Sequence, residues 1–188
     1  MPSMTGGHAV IRALISEGVE VVFAVPGVQI MHIYDGFYDH PEIQVITTRH
    51  EQTAAFMSDG YARSTGKVGV ALVVPGPGMY NAGAALSTAF STSSPVLLLA
   101  GEIDSSQIGK GRGQLHEVDN QMEILKPVTK WRARASRAED IPGTIHEAMR
   151  QLKTGRPLPV EVDIPLDVLA ARVDVDLIEA EEYGRPKA

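Results

Sequence analysis

Apolar residues recur along this chain with two alternating periods. Between Thr5 and Gly18 they fall at Val10, Ile11, Leu14 and Ile15, the spacing of one helix face, with Thr5 placed to cap the start and Gly18 to close the end. "VEVVFAV" (19–25) then predicts a strand, and Pro26 and Gly27 break it before a helical pattern through Ile30, Met31, Tyr34 and Phe37. "IQVITT" (43–48) predicts a second strand, residues 50–64 a helix, and "VGVALVV" (68–74) a continuous apolar strand. Residues 79–92 form an alanine-rich helical pattern, and "PVLLLAG" (95–101) a further strand. Beyond the turn "GKGRG" (109–113) come a short helix from around Val118 to Leu125, a helix from about Glu139 to Leu152, and a last strand, "LPVEVDI" (158–164). Continuous apolar strands suit a sheet covered on both faces. Strands alternating with helices predict an α/β fold: a doubly wound, mostly parallel sheet of about five or six strands flanked by helices.

Composition narrows the class. A chain of 188 residues, 44% hydrophobic, is enough for one domain with a substantial core. The net charge of −6 disfavours a nucleic-acid backbone or an anionic membrane surface, both of which need a positive footprint. With no cysteine, disulfides, thiolate metal sites and cysteine nucleophiles are excluded. No apolar run reaches the roughly 18 residues of a membrane span, and "MPSMTGGHAV" lacks a signal-peptide layout, so a cytoplasmic protein is expected. The domain is read as residues 1–170, with 171–188 as a tail or linker because "EAEEYGRPKA" is charged and nearly devoid of large apolar side chains.

In a doubly wound sheet, ligands bind beyond the carboxyl ends of the strands, so chemistry is sought in the strand-to-helix turns. Four stand out: "AVPGVQ", "TTRHEQ", "VVPGPGMYN" and the stretch from "LLLAG" to "GQLHEVDNQ". Their glycines allow close approach to a ligand, but neither GxGxxG nor GxxxxGK[ST] occurs, so a phosphate cradle is not supported. Glu51 falls in the first turn of its helix. It reads either as a helix-dipole partner worth about 0.3 to 1 kcal/mol or as a partly buried acid offered to a ligand for proton exchange. The histidines His32 and His50 carry weaker claims than His116: one lies on a helix with aromatic neighbours, the other beside Glu51 but facing elsewhere.

Six segments, in order, resemble the pyrimidine-binding domain of thiamine diphosphate enzymes of the acetolactate synthase kind. They are "GVEVVFAVPG" (18–27), "RHEQTAAFMSDGYAR" (49–63), "GPGMYNA" (76–82), "SPVLLLAG" (94–101), "KPVTKW" (126–131) and "GRPLPVEVDIPLDVL" (155–169). The resemblance implies that Glu51 is catalytic, hydrogen-bonding N1′ of the cofactor's aminopyrimidine so that the 4′-nitrogen can take the proton from thiazolium C2. It implies cofactor-binding roles for Pro26, Gly27, Gly76, Gly78 and Asn81, with Asn81 mainly fixing its turn. Val28, Gln114 and His116 are the implied substrate-facing residues. In the synthases a Phe-Gln-Glu triplet stands where this chain has "LHE", so Leu115 replaces the aromatic and His116 the amide; a slip of register would bring in Gln114 instead. Val74 and Pro75 likewise stand where a Thr-Ser pair is usual.

By the same resemblance the substrate is a 2-oxo acid, decarboxylated or condensed with a second carbonyl. Mg²⁺ and the diphosphate are held by a separate diphosphate-binding (PP) domain through a GDG motif, which is absent here, so no metal ligand is expected from these residues. FAD contacts come mostly from a further domain and are not supported by this segment. The expected state is the N-terminal part of a longer chain, inactive alone, in a homodimer or higher homo-oligomer with an apolar strip along the strand carboxyl ends. The alternatives are a small subunit of a two-subunit decarboxylase, or a binding or regulatory module that kept the fold without the chemistry.

Overall fold

The computed structural model describes residues 3–178. Its main element is a six-stranded, wholly parallel sheet formed by β2 (Val21–Ala24), β3 (Gln44–Thr47), β4 (Gly69–Val73), β5 (Val96–Glu102), β6 (Trp131–Arg134) and β7 (Val160–Pro165), in the order β3-β2-β4-β5-β7-β6. The doubly wound α/β expectation is met. β6 is the strand that the apolar pattern misses: "WRAR" alternates an apolar with a charged residue and pairs on one side only, with β7. A separate antiparallel pair joins β1 (Ser3–Thr5) to β8 (Arg172–Asp174). The first residues of the stretch read as a tail therefore belong to a strand, whereas residues 179–188 lie outside the described ones.

Helices cover both faces. On one face α1 (Gly6–Ser16), α2 (Met31–Asp39) and α6 (Ile141–Lys153) pack over Val22, Ala24, Val70, Leu72, Leu97, Leu99, Val160 and Val162. On the other, α3 (Glu51–Thr65) and α4 (Pro77–Ser91) cover Ala71, Val73, Leu98 and Ala100. Successive strand residues point to opposite faces, which is why both sets must be apolar. Caps fix the helix starts: Thr5 accepts from the amide of His8, and the Nδ1 of His50 accepts from the amide of Gln52 at 3.2 Å, making His50 the cap of α3. Short helices α5 (Gln121–Ile124) and α7 (Leu166–Ala170) complete the chain.

The strand order decides where a ligand could sit. From β2 the chain moves outward to β3 through α2; from β4 it moves the other way to β5 through α4. Right-handed crossovers in opposite directions put α2 and α4 on opposite faces. A crevice therefore opens between the carboxyl ends of the adjacent strands β2 and β4, the switch point of the sheet.

Candidate functional site

Gly27 leaves β2 at this crevice, and Val74 to Gly78 leave β4. Gly27 is extended, at φ −172°, and its importance is closeness: a Cβ there would lie 2.2 Å from Cγ1 of Val74. A Cβ on Gly78 would lie 2.9 Å from Cγ2 of the same valine and 3.6 Å from Cγ of Glu51. Buried Val74 is thus wedged between two glycines as a packing piece. Gly76 is a backbone requirement, with φ +53° and ψ −107°, and a Cβ would meet the carbonyl oxygen of His116 at 2.4 Å.

Glu51 opens α3 on the far side of the same crevice, half-buried, and the side-chain amide of Asn81 donates to its Oε2 at 2.9 Å. Asn81 lies in the first turns of α4, so this bond joins the helices following β3 and β4. Its partner, Glu51, lies 30 residues away in the chain. Of the remaining sequence-selected residues, Pro26 and Val28 sit exposed on the rim, and Gln114 is exposed in the loop after β5, where its backbone amide donates to Glu117. His116 is half-buried, adopts φ +68°, and holds a buried Nδ1 with no hydrogen-bond partner. The geometry brings Gly27, Glu51, Gly76, Gly78, Asn81 and the backbone of His116 together.

Sequence reasoning missed a buried polar layer behind the crevice. Gln29, only 4% exposed, donates from Nε2 to the carbonyl of Leu115 at 3.0 Å, while its Oε1 is buried without a partner. Further along, Glu102, Glu161 and Asp163 point to the α4 side of the sheet together with Arg132 and Arg134, since Arg132 pairs with Glu161 and Arg134 with Asp163 across the β6–β7 ladder. Arg134 donates to Glu102 at 3.0 Å and to Asp163 at 3.2 Å. Burial pushes the Glu102 carboxyl above its ordinary value. Burial likewise takes Asp163 up to about 7, against the opposing pull of Gln121 and Arg134. Glu161, with neither carboxyl oxygen hydrogen-bonded, is pushed up to about 9 by burial first and then by the neighbouring Asp163 charge. The available signal was the spacing Glu161-x-Asp163 inside an otherwise apolar strand, which puts two acids on one covered face.

The rim of the crevice carries exposed apolar side chains: Val28 and Met31 beyond β2, Tyr80 on α4 and Leu115 in the loop after β5. Among the described residues no helix is long and apolar enough to cross a membrane, and no group of three or more histidine or acidic side chains is placed to hold a metal ion.

Residues 4–124 match the family model described as the N-terminal, cofactor-binding domain of thiamine pyrophosphate enzymes. The chain is 44% identical over 169 residues to the acetolactate synthase large subunit of Haemophilus influenzae, covering 90% of this chain and 29% of that protein. It is 42% identical over 174 residues to a "probable 2-ketoarginine decarboxylase" of Pseudomonas aeruginosa, covering 93% of this chain and 31% of that protein. Acetolactate synthase isozyme 3 large subunit of Escherichia coli is 41% identical over 169 residues. The chain spans about 30% of the length of these relatives.

Proposed function

Because the chain belongs to the thiamine pyrophosphate (diphosphate) enzymes, as their N-terminal domain, we propose that it forms the pyrimidine-binding half of an active site that decarboxylates or condenses a 2-oxo acid. The observation that carries this reading is the Asn81–Glu51 hydrogen bond, 2.9 Å long, set at the switch-point crevice. The residues fit the group. Asn81 occupies Oε2 of Glu51 and leaves Oε1 to share a proton with a ring nitrogen of the pyrimidine. Gly27 and Gly78 flank Val74 without side chains of their own, which suits a flat aromatic ring lying against backbone. The unpartnered Nδ1 of His116 and Oε1 of Gln29 lie in the segments that follow β5 and β2 and suit polar recognition of a substrate.

Thiamine diphosphate, when bound, supplies a thiazolium that stabilises the carbanion left by loss of carbon dioxide. Glu51 holds or yields the proton at the pyrimidine N1′. A carboxylate is required at that position because an amide cannot exchange a proton. Pro26 and Gly27 would border the ring, and Val28, Gln114 and His116 would face the substrate. Mg²⁺ and the diphosphate would be held by a separate PP domain, which the rim of Val28, Met31, Tyr80 and Leu115 suits as a docking edge; a cytoplasmic homodimer or higher homo-oligomer completes the reading.

Two measurements test it. Titrating the chain with the 4-aminopyrimidine portion of thiamine should shift the amide resonances of Glu51, Gly78 and Asn81, and the shifts should vanish in Glu51→Ala. In an enzyme assembled with a PP domain, Glu51→Gln should abolish 2-oxo acid turnover while leaving the fold intact. Wild-type turnover in that variant would remove Glu51 from the mechanism.

A further inference from the structure

Gln121 lies behind the crevice, 1% exposed, with all of its side-chain amide engaged. Its Nε2 donates to the carbonyl of Gly101 at 2.8 Å and to Oδ1 of Asp163 at 3.0 Å, and its Oε1 accepts from the backbone N–H of Gly76 at 2.9 Å. These partners sit at the ends of β5 and β7 and in the turn after β4. We propose that Gln121 is a positioning residue: it pins the Gly76 turn to the ends of β5 and β7, and through α4 sets Asn81 against Glu51. The functional part of this inference rests on the reading above.

The chemistry at this point admits few alternatives to glutamine. The carbonyl oxygen of Gly101 can only accept and Oδ1 of Asp163 accepts here, so the group facing them must donate twice; the Gly76 N–H can only donate, so the same side chain must also accept. An ionised glutamate would offer no donor, whereas lysine and arginine offer no acceptor. The amide cannot flip, because Asp163 is itself fixed through Oδ2 by Arg134, and Arg134 by Glu102, whose Oε1 takes the amide of Ile103 at 2.8 Å. The turn needs such a tether. Gly76 stands at φ +53° and ψ −107°, α4 starts without a side-chain cap, and Pro77 at its first turn has no N–H to contribute. The amides of Gly78, Met79 and Tyr80 bond back to Pro75 and Gly76. Whatever holds Gly76 therefore holds the start of α4, where Asn81 follows one turn on.

Amide hydrogen exchange at Gly76, measured by NMR on this chain, tests the proposal with Gln121→Met and Gln121→Glu. In Gln121→Met, Gly76 should exchange about tenfold faster, as expected for the loss of one net hydrogen bond, while the core amides of Leu98 and Val162 keep their wild-type rates. In Gln121→Glu, exchange at Gly76 should be fast at neutral pH and slow again as the pH falls, because the protonated carboxyl recovers one donor while keeping its acceptor. Each rate is read against wild type at the same pH. Unchanged Gly76 exchange in Gln121→Met, or acceleration shared equally by the core amides, would overturn the proposal. If Gln121→Met does not fold, Gln121→Glu decides alone, and a Gly76 rate ratio that does not vary with pH sinks it. The aminopyrimidine titration of the previous section separates the two readings. Weaker binding in Gln121→Met extends the tether to the site, and wild-type affinity there confines Gln121 to the turn and overturns its positioning role. Failure of wild type itself to bind counts against the proposed function, and the exchange data still judge Gln121.

Discussion

Glu161 gives the most demanding test of the physical picture. It lies fully buried on β7 with both carboxyl oxygens unpartnered, near Asp163 on its own strand and the two arginines of β6. Its carboxyl is pushed from an ordinary 4.5 to about 9. The folded chain thus holds a proton that the unfolded chain releases, so the stabilising contribution is complete below the ordinary value and is lost as pH rises toward 9. Each proton of difference changes stability by about 1.4 kcal/mol per pH unit. Between about pH 5.5 and 8 the wild type should therefore lose up to about 3 kcal/mol through this group alone. Glu161→Gln keeps the shape and cannot titrate. It should match wild type near pH 4, below the ordinary value, and exceed its stability by a few kcal/mol at pH 8. Urea unfolding at a series of pH values measures this, followed by the fluorescence of Trp131, the single tryptophan, which lies opposite Val160 on the neighbouring strand. Parallel stability profiles for the two proteins, or a loss of stability in Glu161→Gln at pH 8, would refute the argument.

Other outcomes follow from the crevice. Gly76→Ala combines a backbone conformation reserved for glycine with a contact to the His116 carbonyl, and should cost about 2 to 3 kcal/mol in urea unfolding. Gly27→Ala drives a methyl into Val74 and should cost about 1 to 3 kcal/mol, part of which Val74→Ala restores, so the double variant is more stable than additivity predicts. Glu117 accepts from the amides of Gln114 and Arg112, and these bonds hold its carboxyl below the ordinary range. The ordering they provide is present above that range and fades as pH falls through the lowered value. Glu117→Gln should therefore speed trypsin cleavage after the exposed Lys110 and Arg112, with unchanged cleavage rates counting against that role.

Much of the fold was legible because burial leaves a periodic trace. β4 and β5 read as unbroken apolar runs since both of their faces are covered, and α1 and α6 read from their single apolar stripes. β6, β1 and β8 were not legible: each is short and lies at an edge or in an isolated pair, where one side of the backbone is unpaired and polar residues are tolerated. Glu51 and the glycines were singled out through resemblance, since an acid in a first helical turn is common for reasons of helix stability alone. Gln121 carried no signal, because nothing in a glutamine 45 residues from Gly76 says that its amide will meet that turn.

The sequence by itself thus determined the alternation of strand and helix, the turns that could face a ligand, and the position of Glu51 at the head of a helix. Those are local properties, set by hydrophobic period, capping and glycine placement within a few residues. The strand order was decided only in three dimensions, and it is the order that puts β2 beside β4, wedges Val74 between Gly27 and Gly78, and brings Asn81 to Glu51. The buried acids follow the same rule: Glu161 and Asp163 are ordinary carboxyls in the unfolded chain, and only burial on the α4 side of the folded sheet turns them into groups that hold their protons toward neutral pH and beyond.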